Sequence, residues 1–167
     1  MTPSNTENLS LPENPSKVLV ADDELLVVQG IIGLLKVLGF KIIGPCKNGE
    51  EAIEKVHEER PDIALLDIQM PEMSGIELIT YIRQIPGYEF VPIIMLTGVK
   101  NSDSIAKAFV AGAWDYIVKP FEFFELETRI HGAELRNAEF IRHIKRPHES
   151  PSREKYEALQ KIALERP

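Results

Sequence analysis

The sequence predicts an α/β fold: a doubly wound, five-stranded parallel sheet with helices on both faces and an extended C-terminal helix. Two observations predict it. Short apolar runs alternate five times with longer segments of helical character, which is typical of parallel strands joined by right-handed crossovers. Polar residues directly follow four of the five apolar runs, at the ends of strands where ligands bind in such sheets. The 167 residues are therefore expected to form one domain of about 120 residues plus tails.

The first half of the chain supplies two strand–helix units. Their predicted elements are strand 17–21, helix 25–38, strand 40–44 and helix 50–59. Gly39 fits the position that ends the first helix, and Asn48-Gly49 turns the chain into the second. The buried stripe of the first helix is predicted to be Val27, Ile31, Leu34 and Leu38. On that assignment Val28 lies to the side of the helix or outward.

The third apolar run, residues 63–66, stops at a single carboxylate, Asp67. An acid at the end of a buried strand is costly unless a partner compensates its charge. Met70-Pro71 prevents the strand from continuing, and Ser74 can cap a new helix that begins near Gly75. We therefore expect Asp67 at the edge of the sheet, with a compensating group beside it.

The second half of the chain repeats the strand–helix alternation. Its predicted elements are helix 76–84, strand 91–96, helix 101–111, strand 114–118 and a long helix from residue 121. The fourth strand ends at Thr97-Gly98, and the fifth ends at Lys119-Pro120. Since all strands run in the same direction, Asp22-Asp23, Asp67, Thr97 and Lys119 are expected to meet at one edge.

Composition excludes several other classes of protein. Residues 121–167 carry nine basic and nine acidic side chains, so the whole net charge of −7 lies in the first 120 residues. This acidity argues against a nucleic-acid surface. Cys46 is the single cysteine and is expected to be a buried thiol. Residues 1–16 are predicted to be a disordered lead-in, and no segment is long and apolar enough for the membrane, so a cytoplasmic location is expected.

The predicted edge carries a set of groups with a definite chemistry. Several carboxylates at one place repel each other unless a cation is present. Oxygen ligands of this kind suit Mg²⁺, which keeps several waters and binds one or two carboxylates together with phosphate. Lys119 adds an ammonium and Thr97 a hydroxyl, and such groups can stabilise a phosphoryl group in transfer. Asp67 would then be the nucleophile that forms an acyl phosphate.

At these residues the chain resembles the receiver domain of two-component response regulators, over residues 17–130. The motifs that carry the resemblance are Asp22-Asp23-Glu24, the stretch from Asp67 to Gly75, Thr97-Gly98, and the stretch from Gly112 to Phe121. Each motif alone also fits an ordinary turn or helix end. Together, at the ends of the right strands, they are highly specific. The resemblance implies a flavodoxin-like sheet with strand order 2-1-3-4-5.

The resemblance also implies a role for each matching residue. Asp67 would accept a phosphoryl group from a phosphohistidine on a sensor histidine kinase or a histidine phosphotransfer protein. Asp23 and Asp67 would bind Mg²⁺ directly, together with the backbone carbonyl of Gln69, and Asp22 would act through water. Lys119 would contact the phosphoryl group.

The resemblance further implies how the switch would operate. Thr97 would move toward the phosphoryl group and Tyr116 would turn inward, which would alter the face formed by helix 4, strand 5 and helix 5. Simple core packing is the alternative for Tyr116. The module would be a signalling switch with only Mg²⁺-dependent self-phosphorylation and self-dephosphorylation.

Two other classes of protein are alternatives to the switch. A phosphohydrolase with an aspartyl-phosphate nucleophile usually has a second acid two residues after it, where this chain has Gln69. A dinucleotide-binding protein would need a glycine-rich loop after the first strand, which is missing. In the receiver family, the residues two after the phosphoacceptor and two after the threonine influence loss of the phosphate. They are Gln69 and Val99 here, and Val99 predicts a moderately slow self-dephosphorylation, because it cannot orient a water.

After the lead-in, the chain is predicted to divide into three parts. Residues 17–134 would form the receiver domain, residues 135–146 would extend its last helix, and residues 147–167 would form a linker and a short amphipathic helix. Three- and four-residue steps along the last helix define one face, which is apolar except at Asn137. Its members are Phe123, Leu126, Ile130, Ala133, Asn137, Phe140 and Ile144. With Asn137 at a buried position, this spacing predicts a short coiled coil and a homodimer; a solvated extension is the alternative. The output partner or domain is unknown from sequence.

Overall fold

The structure is a computed structural model and describes residues 15–98 and 102–144. Five strands alternate with five helices in this part of the chain. The strands are β1 (Lys17–Ala21), β2 (Lys41–Cys46), β3 (Ile63–Asp67), β4 (Ile93–Thr97) and β5 (Asp115–Val118). The helices are α1 (Leu25–Val37), α2 (Gly49–Glu59), α3 (Gly75–Arg83), α4 (Ser102–Ala111) and α5 (Phe123–Ile144).

All four strand pairings are parallel, and the strand order is β2-β1-β3-β4-β5. This confirms the predicted fold class and topology. The register aligns the carboxyl ends: Ala21 pairs with Leu66, Asp67 pairs with Leu96, and Thr97 pairs with Val118. The residues that end or follow β1, β3, β4 and β5 therefore lie side by side.

The core has two layers, one on each face of the sheet. Consecutive residues of β3 contribute to opposite layers: Leu66 packs with Ile79 of α3, while Leu65 packs with Ile31 of α1 and Ile130 of α5. Every residue of β3 is buried. A strand buried on both faces must be apolar throughout, which is why Asp67 stands out at its end.

Local sequence signals set several of the helix ends. The Ser74 hydroxyl accepts from the Glu77 backbone N–H at 3.2 Å, and the Glu77 carboxylate accepts from the Ser74 backbone N–H at 3.1 Å. This reciprocal capping box fixes the beginning of α3 where Ser74 predicted it. Asn48 caps α2 in a similar way, and Gly39 follows α1 with a φ of +84°. Cys46 is buried, as predicted, and burial raises the pKa of its thiol to about 11.

Three predicted boundaries are wrong by two residues, and the first is the start of β4, which is Ile93 instead of residue 91. β2 continues to Cys46 instead of ending at Gly44, because Ala21 pairs with Cys46 across an irregularity in the ladder and the Asp22 N–H donates to the Cys46 carbonyl. α5 begins at Phe123 instead of residue 121. Residues 119–122 connect the end of β5 to this helix.

The predicted buried stripe of α1 is also wrong in part. Val28, Ile31 and Leu35 are its buried residues, whereas Val27 and Leu34 are only partly buried. Val28, predicted at the side or outside, is 3% exposed. Leu25 and Leu26 are the strongly exposed apolar residues at the beginning of the helix. Because α1 is apolar around most of its circumference, only packing against the sheet and α5 decides its rotation.

The predicted stripe of the last helix divides into two parts. Leu126, Ile130 and Ala133 are buried against the sheet, while Phe123 is 56% exposed and lies outside the core. Farther along, the ring of Phe140 lies 4.9 Å from the ring of Phe90, which precedes β4. Asn137 lines the same groove as these two rings. This part of the extension therefore faces the body of its own chain.

Within the described ranges, no helix has both the length and the apolar character needed to cross a bilayer. Three predictions concern residues outside those ranges. They are the lead-in up to residue 14, Val99, and the linker and helix at 147–167.

Candidate functional site

In the part of the chain that the structure describes, three polar or charged side chains are buried. They are Asp22, Asp67 and Thr97, which are 1%, 3% and 1% exposed. All three lie at the carboxyl edge of the sheet, immediately after β1 or at the last position of β3 and β4. Burying a carboxylate is unfavourable unless its charge is compensated. Two carboxylates at one edge therefore need a cation.

Lys119 supplies that charge. Its Nζ lies 2.7 Å from Asp22 Oδ2, 3.0 Å from Glu24 Oε1 and 3.3 Å from Asp67 Oδ2. Its side chain is 9% exposed. The Lys119 backbone N–H donates to the Thr97 carbonyl at 2.7 Å. Backbone pairing between β4 and β5 therefore extends to Lys119 and fixes the backbone from which its ammonium reaches the site. Its carboxylate partners raise the pKa of Lys119 in spite of partial burial, so the ammonium stays charged at neutral pH.

Asp67 is held from two sides. Its Oδ1 accepts from the Gln69 backbone N–H at 3.2 Å, and its Oδ2 faces Lys119. Burial, followed by repulsion from Asp22, raises the pKa of Asp67 from 3.8 to about 6. Lys119 and the Gln69 N–H act in the opposite direction but do not cancel the effect. Ionised Asp67 is thus incompletely compensated by the protein.

Asp22 is the other incompletely satisfied acid. Its Oδ1 accepts from the Glu24 N–H at 2.9 Å. Its buried Oδ2 is close enough to Lys119 for an ion pair but lacks the geometry of a hydrogen bond. A carboxylate oxygen that shares one ammonium with two other acids is the kind of ligand that a hard divalent cation takes up. The donor set at this edge therefore fits Mg²⁺.

The predicted ligand set and the observed carboxylate cluster are not identical. Carboxylate oxygens of Asp22, Glu24 and Asp67 lie within 4.8 Å of one another. Asp23, predicted to bind the metal directly, is exposed and does not belong to this cluster. Sequence reasoning gave Glu24 no role; the available signal was its place as the third acid in the run after β1. Direct ligation by Asp23 and by the Gln69 carbonyl stays a prediction.

Gly75 brings the first turn of α3 directly against the end of β3. Its N–H donates to the Ile68 carbonyl at 2.8 Å. A Cβ at this position would lie 2.1 Å from the Asp67 carbonyl oxygen and 2.8 Å from the Met95 methyl carbon. Only glycine allows this approach, which fixes the backbone that carries Asp67.

Tyr116 lies on β5, two strands away from Asp67 in the sheet. It is half-buried and contacts Phe109 of α4 edge-to-face, with 5.9 Å between the ring centroids. Its predicted motion is not tested by this arrangement. The contact does couple the position of Tyr116 to α4.

The comparison with known proteins decides which family has this arrangement. A family profile described as "response regulator receiver domain" matches residues 18–131. The chain is a member of this family. The match contains every predicted site residue, from Asp22 to Lys119.

Curated relatives of this receiver chain include regulators of different overall size. The transcriptional regulatory protein PdtaR of Mycobacterium tuberculosis is 34% identical over 112 residues, which cover 67% of this chain and 53% of PdtaR. The chemotaxis protein CheY of Bacillus subtilis is 37% identical over 106 residues, which cover 64% of this chain and 87% of CheY. The chain thus spans about half the length of the larger relatives and nearly all of the smaller one.

Solved structures support the same receiver fold. CheY4 of Vibrio cholerae superimposes with a TM-score of 0.68 at 29% identity, covering 72% of this chain and 99% of CheY4. A putative response regulator from Chloroflexus aurantiacus gives 0.68 at 32% identity and covers 72% and 98% of the two chains.

The raised pKa of Asp67 gives this receiver a specific dependence of stability on pH. The folded value of about 6 exceeds the ordinary 3.8, so the folded state binds an extra proton between these values. This contribution to stability is complete below about pH 4 and is lost as pH rises through about 6. Without divalent cation, we expect it to amount to about 2 kcal/mol.

The measurement is denaturant unfolding between about pH 4 and 7, for the wild type and for Asp67→Asn. Carboxylates remote from the site contribute equally to both proteins, so the difference between the two curves reports on Asp67 and on its interaction with Asp22. Asp67→Asn should become more stable than the wild type as pH rises. Parallel curves would contradict the raised pKa.

Proposed function

We propose that this receiver is a phosphorelay switch in which Asp67 accepts a phosphoryl group from a sensor histidine kinase or a histidine phosphotransfer protein. One observation carries the proposal. Asp67 is buried at the end of β3, and the Lys119 ammonium beside it is shared with the buried carboxylate of Asp22. The charges of such a site are poorly balanced until a divalent cation and a phosphoryl group bind there together.

The reaction needs little from the protein beyond positioning and charge. A carboxylate oxygen of Asp67 attacks the phosphorus of a phosphohistidine. The new oxygen–phosphorus bond forms as the phosphorus–nitrogen bond breaks, and the electron pair stays on the imidazole nitrogen, which takes up a proton. Lys119 can contact the transferred phosphoryl group because its ammonium already lies 3.3 Å from Asp67 Oδ2.

Mg²⁺ would supply positive charge to the phosphoryl oxygens when bound. Asp22, Asp67 and either Asp23 or Glu24 are the side chains of this chain that could hold it. The phosphorylated state would be read through Thr97 and Tyr116. Since Tyr116 contacts Phe109 of α4, its rotation would alter the face formed by α4, β5 and α5.

The alternative is a phosphohydrolase that uses Asp67 as nucleophile. Gln69 argues against it, because that position lacks the acid such enzymes use. Gln69 is also exposed and directs its backbone N–H toward Asp67. On our proposal the chain is not a turnover enzyme, and its site supports only self-phosphorylation and slow self-dephosphorylation, with Gln69 and Val99 setting the rate.

Acetyl phosphate with Mg²⁺ tests the proposal. We expect intact-mass measurement to show one phosphoryl group per chain, and peptide mapping after borohydride reduction to place it on Asp67. Asp67→Asn should take up none. Sustained release of phosphate by the wild type, with no labelled protein, would favour the phosphohydrolase.

Partners beyond the phosphodonor are part of the same proposal. The output partner or domain is unidentified, and the cytoplasm is the compartment we propose. A homodimer through α5 is also proposed, although the contact between Phe90 and Phe140 occupies part of the predicted stripe within one chain. If sedimentation shows the same number of copies per particle for the full chain and for a chain ending at Ala133, dimerisation through the extension would be contradicted.

A further inference from the structure

Lys119 is shared unequally among its acidic neighbours. Its Nζ donates a hydrogen bond to Glu24 Oε1 at 3.0 Å, whereas Asp67 Oδ2 is farther away, at 3.3 Å. The remaining contact is the ion pair with Asp22 at 2.7 Å. In this state the ammonium is directed toward Glu24 and Asp22 more than toward the predicted phosphoacceptor.

Helix capping does not explain where the Glu24 side chain lies. Glu24 is the N-cap residue of α1, with φ −83° and ψ 101°, but its side chain makes no capping hydrogen bond. Its backbone N–H donates to Asp22 Oδ1. This bond fixes the backbone of Glu24, and the side chain reaches Lys119 on the other side of the site.

The two acids that hold Lys119 differ in how easily they can release it. The Asp22 side chain is fully buried, whereas the Glu24 side chain is 59% exposed. An exposed ion pair is weak, because water solvates the separated carboxylate well. The contact with Glu24 is therefore the weaker one, and the one that an incoming anion can replace.

We propose that Glu24 is a positioning residue: a displaceable counter-ion that holds Lys119 in the unphosphorylated state and yields it to the phosphoryl group. This inference rests on the proposed phosphorylation of Asp67. A phosphodonor dianion must take the Lys119 ammonium from Glu24, and it meets the negative charge of Glu24 while it approaches. Both effects oppose donor binding.

Glu24→Gln tests the inference because it removes the charge and keeps the size of the side chain. Initial rates of labelling by acetyl phosphate are measured at saturating Mg²⁺ over a range of donor concentrations. We expect the second-order rate constant of labelling to rise about threefold to fivefold, the upper part of the range that an exposed ion pair allows. The gain should shrink as ionic strength rises, since salt screens the charge of an exposed acid.

Glu50→Gln is the matched control. Glu50 is an exposed acid in the first turn of α2, so the variant removes one charge from the same edge of the sheet; its kinetics should equal those of the wild type. Equal second-order rate constants of labelling for wild type and Glu24→Gln would overturn the inference. Weaker Mg²⁺ binding by Glu24→Gln, titrated calorimetrically without donor, would also overturn it and assign Glu24 to the metal site. An unlabelled wild type would instead contradict the proposed function.

Discussion

Replacement of Lys119 by methionine should reduce labelling of Asp67 by acetyl phosphate at least about 100-fold. Lys119 is the cation that contacts Asp22, Glu24 and Asp67 in the described part of the site. Methionine keeps an unbranched chain of similar length but leaves the transferred phosphoryl charge without its ammonium partner. Quantitative mass spectrometry of the labelled protein over time measures the effect.

The same substitution should lower stability near pH 7 by about 3 kcal/mol, because it leaves Asp22 and Asp67 buried with their charges uncompensated. The loss should be smaller near pH 5, where Asp67, whose pKa is already about 6, binds a proton. Lys36→Met, at an exposed position in the last turn of α1, is the control and should change neither property. Labelling of Lys119→Met at the wild-type rate would exclude Lys119 from the reaction.

Replacement of Gly75 by alanine should destabilise the protein by at least about 3 kcal/mol. The new Cβ would lie 2.1 Å from the Asp67 carbonyl oxygen. Backbone atoms cannot swing away as the end of a flexible side chain can, so α3 or the end of β3 must move. Because that backbone carries Asp67, labelling by acetyl phosphate should fall as well.

Gly33→Ala is the control for this prediction. Gly33 lies inside α1, and a Cβ there would meet nothing within 4 Å. Alanine should therefore leave stability unchanged or raise it by about 0.5–1 kcal/mol, since glycine is unfavourable inside a helix. Denaturant unfolding compares both variants with the wild type, and equal stability of Gly75→Ala and Gly33→Ala would contradict the close approach.

The parts of the fold that the sequence predicted correctly depend on local signals. Ser74 makes the capping box that begins α3, and Gly39 takes up the positive φ that follows α1. The place of Asp67 at the edge of the sheet follows from the apolar run before it and from Pro71 after it. Such signals act within a few residues, so they can be read without knowing what packs where.

The rotation of α1 could not be predicted in this way. Val28 is buried although the apolar pattern placed it at the side or outside. Apolar residues surround most of this helix, so several rotations bury similar areas. Contacts with the sheet and α5, which are distant in sequence, select one of them. The same reasoning applies to Phe140, whose ring partner Phe90 lies in a different connection of the chain.

The sequence by itself predicted that Asp22, Asp67, Thr97 and Lys119 meet at one edge, because the parallel direction of the strands follows from the alternation of strands and helices, and the resemblance to receiver domains implied the strand order. Only the tertiary structure decided how Lys119 is shared, with Glu24 and Asp22 nearer than Asp67. The reason is physical: the balance among neighbouring charges depends on distances of a few ångströms and on burial. Spacing along the chain contains neither quantity.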